Sequence, residues 1–279
     1  MTTSAAPDRA DIGIIGGTGF YSFLDDPQVV EVDTPFGRPS APISIGEVGG
    51  RSVAFLPRHG ERHQFAPHRV NYRANLWALR SVGVRQVLGP CAVGSLKPEH
   101  GPGTFVVPDQ VVDRTWGREH TVYDTEGPVV HVGFADPYCP RGRATLLNNA
   151  SPETGVLVDG GTLVVINGPR FSSRAESQWH AAAGWSVVGM TGVPESSIAR
   201  ELAMCYSTVC LVTDHDAGVE GGESVSHVEV VRQFGANIDR LKSLLRDVIS
   251  TLPEPETDEE ATCACRRALD GIELPITLP

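Results

Sequence analysis

The chain has 279 residues, 41% of them hydrophobic and 20% charged, with a formal net charge of -11 at pH 7. That is an ordinary globular composition, long enough for one sizeable core, and its acidity excludes the footprint of a general nucleic-acid binder. No apolar run is long enough to span a membrane. The polar start MTTSAAPDRA lacks the apolar core of a secretion signal, so a cytoplasmic protein with reduced cysteines is expected.

In chain order, residues 1–10 read as a disordered tail. Ile12–Ile15 is a short apolar run closed by Gly16-Gly17-Thr18-Gly19, the pattern of a buried strand ending in a glycine turn. Further buried strands are expected at Val53–Leu56, Val87–Leu88, Phe105–Val107, Leu163–Ile166, Val187–Met190 and Val209–Val212. Helical patterns cover Tyr72–Ser81, Ser173–Ala183, Glu195–Met204 and about Val228–Ser250. Strands alternating with helices predict a single α/β domain with a largely parallel sheet. The acidic stretch 253–261 reads as a solvated linker to a C-terminal tail.

Three places carry chemistry. The glycine turn fails the dinucleotide pattern, because Ile14 and Ser22 stand where glycine is needed, and no Gly-Lys-Ser/Thr follows it. Backbone N–H groups there and the Thr18 hydroxyl still suit an oxyanion, or form an ordinary tight turn. Residues 57–69 hold Arg58, Arg62, Arg69, His59, His63 and His68 just after a strand, a candidate anion site at a strand end. His59 and His63 have metal-ligand spacing, but Gly60, Pro67 and the lack of an acidic partner argue against a metal there. Asp214 and Asp216 follow the strand ending at Val212 and share parity. They read either as caps or as a carboxylate pair, one of them protonated near neutrality.

Taken together, Gly-Ile-Ile-Gly-Gly-Thr-Gly (13–19), Arg58-His59-Gly, residues 70–79, Gly-Pro-Arg-Phe-Ser-Ser-Arg-Ala-Glu-Ser (168–177), Met-Thr-Gly-Val-Pro-Glu (190–195) and Thr-Asp-His-Asp (213–216) resemble 5′-methylthioadenosine phosphorylase, the trimeric branch of the purine nucleoside phosphorylases. The resemblance covers about residues 11–250. It implies one α/β nucleoside phosphorylase domain, with a mixed, barrel-like central sheet flanked by helices, in a homotrimer. It implies phosphorolysis of an N-glycosidic bond with phosphate as co-substrate and no metal or organic cofactor. Thr18, Arg58, His59, Ala92 and Thr191 match phosphate contacts, with Cys91 beside them. Ala92 and Met190 match ribose contacts, Phe171 and Ser172 the base pocket, and Asp214 and Asp216 the adenine-reading carboxylates. His131 matches a residue that reaches the 5′ pocket from the neighbouring subunit. Asp214, Arg58 and His59 are the expected catalytic residues.

Two positions depart from the pattern. Cys91 replaces a threonine hydroxyl at the phosphate contact, and a thiol is a poor donor. His227 stands where a small apolar residue packs on a 5′-methylthio group and resembles the residue that reads a 5′-hydroxyl. The expected substrate is therefore a 6-aminopurine nucleoside, 5′-methylthioadenosine and/or adenosine. A nucleosidase using water and a non-catalytic nucleoside binder are the rival readings. Cys263 and Cys265 read as a labile disulfide, half a metal site or an inert pair, with no catalytic role.

Overall fold

The computed structural model describes residues 9–17, 19–20, 23–219, 225–254 and 263–279. Among the described residues, thirteen strands divide between two sheets. In the first, β1 (Ile12–Gly16) lies parallel between β4 (Arg51–Pro57) and β5 (Gln86–Leu88), and β5 pairs in parallel with β12 (Cys205–Ser207). Two antiparallel strands, β3 (Ile43–Val48) and β2 (Gln28–Val30), extend it beyond β4. The second sheet runs β8 (Gln110–Arg114), β10 (Thr162–Ile166), β11 (Val187–Gly189), β6 (Cys91–Ser95), β13 (Cys210–His215), β7 (Phe105–Val107) and β9 (Leu157–Asp159).

The sheets are mixed, as the resemblance implies. Most pairs are parallel, as expected of a largely parallel sheet, and the antiparallel pairs β2–β3, β3–β4, β6–β11 and β7–β13 make the architecture mixed. The apolar runs that read as strands are strands. β2, β3, β6, β8, β9 and β12 are not read from the sequence: β2, β9 and β12 have three residues each, β8 is largely exposed, and β3 and β6 are interrupted by glycine and polar residues. β6 is Cys-Ala-Val-Gly-Ser, and its glycine has a site-related cause: a Cβ on Gly94 would lie 3.0 Å from Asp214 Oδ1 and 3.3 Å from Asp216 Cβ.

Among the described residues, five α-helices pack on the sheets: α1 (Tyr72–Ser81), α2 (Pro140–Asn148), α3 (Arg174–Ala182), α4 (Glu195–Glu201) and α5 (His227–Thr251). Asn71 caps α1, and Ser173 with Glu176 forms a reciprocal capping box on α3. Helix α4 ends three residues before the expected Met204, because Ala203 turns at φ 49° and releases the chain into β12. Helix α2 was not anticipated from its Pro-Arg-Gly-Arg opening.

The apolar stripe of α5 is split. Leu241, Leu244, Leu245, Val248 and Ile249 are fully buried against Phe20, Phe55 and Leu211, whereas Val230, Phe234 and Ile238 face a cleft.

The tail expected over residues 1–10 is shorter at its inner end. Ala10 is buried, and its N–H donates to Val82 O at 2.9 Å. Residues 1–8 and most of the expected linker lie outside the described residues. Beyond that linker the chain is packed, not loose: Cys263 and Cys265 are buried, and Ile276 and Leu278 rest on the main core cluster.

Candidate active site

A cleft of about 890 Å³ opens where the glycine turn after β1, the loop after β4, the ends of β10 and β11, and β13 converge under the first turns of α5. Arg58, His59, Cys91, Ala92, Phe171, Ser172, Met190, Thr191, Asp214, Asp216 and His227 all line it. Gly17 and Gly19 line it too, while Thr18 lies outside the described residues. His131 does not line this chain's cleft and is exposed on the irregular segment before α2.

At the basic end, Arg58 is not an open anion grip. Its Nε and Nη2 donate to the two carboxylate oxygens of Glu195 at 2.8 and 2.9 Å, Nη2 also donates to Ile15 O, and Nη1 donates to Pro90 O. Burial works against its charge, but Glu195 more than restores it, holding the guanidinium well above its ordinary range. Four of its five N–H donors serve the fold. A paired Arg58 ties the glycine turn, residue 90 and the start of α4 together, and leaves one Nη1 donor for the expected phosphate contact.

His59 is pushed down to about 4, first by burial and then by the Arg58 charge. Its Nδ1 lies 2.8 Å from Phe65 O. That contact requires Nδ1–H in the neutral ring, so Nε2 is an acceptor. An acceptor suits the hydroxyl of a phosphate rather than its bare oxygens. The His59 and His63 rings stack with centroids 4.5 Å apart, a packed pair rather than two ligands converging on one ion.

At the opposite end, Asp214 is raised to about 6, mainly by burial; the Thr213 hydroxyl, donating to Oδ2 at 2.7 Å, opposes this and the Asp216 charge adds to it. Asp216 is also raised, chiefly by burial. Asp216 Oδ2 and Ser172 Oγ are buried and have no hydrogen-bond partner among the described residues. Unspent polar groups in a cleft are sites where a ligand's own polar edge is required. Parity alone would not have placed the pair. The register of β13 against β6 slips between Val212 and Asp214, a bulge beside which the Asp214 carboxylate and the Asp216 Cβ both lie over Gly94.

The third wall is apolar: Val230, Val231, Phe234 and Ile238 of α5, with His227 at its first turn. His63 lies close enough to His227 for that charge to lower it, after burial.

Two supporting residues escaped the sequence reading. Glu195, fully buried, was visible only inside a motif. Arg118 sits in a stretch without periodicity, yet it is buried and donates to Val193 O at 2.6 Å, Met190 O at 2.9 Å and Asn167 O at 3.0 Å. It therefore fixes the loops that present Met190 and Thr191.

Similarity to known proteins accords with this geometry. Residues 11–250 match the Phosphorylase superfamily. The chain is 60% identical to a purine nucleoside phosphorylase of Streptomyces coelicolor, over 97% of this chain and 98% of that one. It is 54% identical to the S-methyl-5′-thioadenosine phosphorylase of Mycolicibacterium smegmatis, over 96% and 99%. The structure of methylthioadenosine phosphorylase from Schistosoma mansoni in complex with adenine superposes with a TM-score of 0.84 at 37% identity, covering 89% of this chain and 93% of that one. With 240 contiguous positions matched and near-full-length relatives, this chain belongs to the phosphorylase superfamily.

Proposed function

We propose that the chain catalyses the reversible phosphorolysis of a 6-aminopurine nucleoside, 5′-methylthioadenosine and/or adenosine, giving adenine and the ribose 1-phosphate derivative. One observation carries this reading. A carboxyl group poised at about 6 with an unspent acceptor beside it shares one cleft with a neutral-histidine, threonine and glycine-turn end built for an oxyanion. The sugar spans the gap.

Phosphate, held by Thr191, the backbone around Gly17 and residues 91–92, and the remaining Arg58 donor, attacks the anomeric carbon on the face opposite the base. His59 Nε2 accepts from the phosphate hydroxyl and orients an unprotonated oxygen for attack. This preorganisation removes the entropy of a bimolecular encounter. As the C1′–N9 bond breaks, its electron pair moves into the purine, and protonated Asp214 delivers a proton to N7. Help of that kind is worth about 10²–10⁴-fold. The sugar phosphate gives up its hydroxyl proton to solvent, and Asp214 is reprotonated, which closes the balance. No cofactor enters these steps. Asp214 and Asp216 select the 6-amino group, because a 6-oxo group would set acceptor against acceptor at about 1–3 kcal/mol each.

The same reading makes the protein a homotrimer in a reducing compartment, with a role in salvage of the base and the thio-sugar. His131 would complete a neighbour's 5′ pocket. It shares the segment 115–139 with Trp116 and Val129, which are 72% and 75% exposed, the kind of surface a subunit contact covers.

The test is base release from adenosine, deoxyadenosine, methylthioadenosine and inosine, each with and without phosphate. Adenine released only with phosphate, and inosine slower by at least about tenfold, is the expected result. Release without phosphate would establish a nucleosidase instead.

A further inference from the structure

Outside the cleft, four cysteines converge from three parts of the chain. Cys139 is the N-cap of α2, Cys205 opens β12, and Cys263 and Cys265 form a C-x-C turn near the C-terminus. All four are buried, and their sulfur atoms lie within 4.8 Å of one another. Taking Cys263 and Cys265 alone, the sequence offered only half a site; the fold supplies the other half.

We propose that these four thiolates bind one structural zinc ion. A zinc–sulfur bond of about 2.3 Å sets the edge of a regular tetrahedron at about 3.8 Å. Cys263 Sγ stands 3.6 Å from Cys139 Sγ and 3.7 Å from Cys205 Sγ. Cys263 is thus equidistant from two partners, the geometry of a shared centre rather than of one bonded pair. The donor set is soft and closed, with no carboxylate or histidine in it, which excludes calcium and magnesium and matches structural rather than catalytic zinc. Four thiols release four protons on binding and leave a 2− centre. Arg200 answers part of that charge: its Nη2 lies 3.7 Å from Cys265 Sγ and also donates to Asp136 O, while its Nη1 donates to Gly133 O. The opening of α2 at Cys139 adds a positive helix end.

The consequence is a clasp. It fastens the C-terminal segment to β12, where the next residue, Tyr206, donates to Glu195 at 2.6 Å and so buttresses the Arg58 pair.

The protein is purified anaerobically without chelator or added reductant, and its metals are counted by inductively coupled plasma mass spectrometry. Its thiols are counted by alkylation after denaturation. Expected are about one zinc per chain and all six cysteines alkylated. The double variant Cys263→Ser/Cys265→Ser loses the zinc and melts lower by on the order of 10 °C. If that variant does not fold, the wild-type metal and thiol counts decide alone. Zinc-free protein with six free thiols, disulfides among these four cysteines, or iron in place of zinc would each overturn the proposal.

Discussion

The Arg58 guanidinium and the Glu195 carboxylate meet as a two-pronged pair at 2.8 and 2.9 Å, with side chains only 2% and 0% exposed. Glu195 also accepts from the Tyr206 hydroxyl at 2.6 Å. A pair so far from water holds only while both partners are present, because either charge alone is stranded. Glu195→Gln is therefore expected to destabilise the fold by about 3–5 kcal/mol, read from urea unfolding. A loss under about 1 kcal/mol would show that the pair does not organise the basic end of the cleft.

The carboxyl of Asp214, raised to about 6, gives a pH prediction with a definite sign. The acid form is the useful one, so kcat/KM for the nucleoside at saturating phosphate falls about tenfold per pH unit above about 6. Asp214→Asn removes that alkaline limb and lowers the rate by about 10²–10⁴-fold. Stability moves with it. A folded-state value above the unfolded 3.8 means that the proton's contribution is present below 3.8 and lost as the pH rises through about 6. At pH 8 the variant should then melt higher than the wild type, and at pH 4 it should hold no such advantage. A kcat/KM profile with the same alkaline limb in both proteins would remove Asp214 from the acid role.

His227 sits at the first turn of α5, on the cleft wall shared with Val230 and Phe234 and near His63. A polar ring among apolar neighbours favours a 5′-hydroxyl over a thioether. His227→Val is expected to shift the ratio of kcat/KM for methylthioadenosine over adenosine upward by about tenfold, the equivalent of one buried hydrogen bond. An unchanged ratio would end the assignment.

On the proposed reading, Cys91 offers sulfur where a threonine hydroxyl would donate to phosphate. Its thiol is drawn down, first by the Cys210 thiol 3.5 Å away, then, against burial, by the Arg58 charge. Cys91→Thr should lower the phosphate KM about fivefold, about 1 kcal/mol, with the nucleoside KM unmoved. A rise in phosphate KM would mean that the backbone at residues 91–92, and not the side chain, makes the contact.

Local pattern was enough for the elements whose signal is local. The Ile12–Ile15 run, the Tyr72–Ser81 helix with its Asn71 cap, and the long α5 stripe are written in neighbouring residues, because apolar periodicity and capping are short-range physics. Of the site residues that the resemblance named, those described line the cleft except His131, whereas Val230, Phe234 and Ile238 of its apolar wall were named only as helix positions. What the chain order could not reveal is how distant groups spend one another's valences. Arg58 reads as an anion grip until Glu195, 137 positions away, is seen to hold it. Arg118 carries no signal because its partners are backbone carbonyls of loops that meet only in the fold. Asp214 becomes a weaker acid through burial beside Gly94 at a strand bulge, and four cysteines become one cluster only when α2, β12 and the C-terminal turn come together. Residue identity thus determined which chemistry was possible, and three-dimensional proximity, by removing water and pairing charges, decided which groups remain free to perform it.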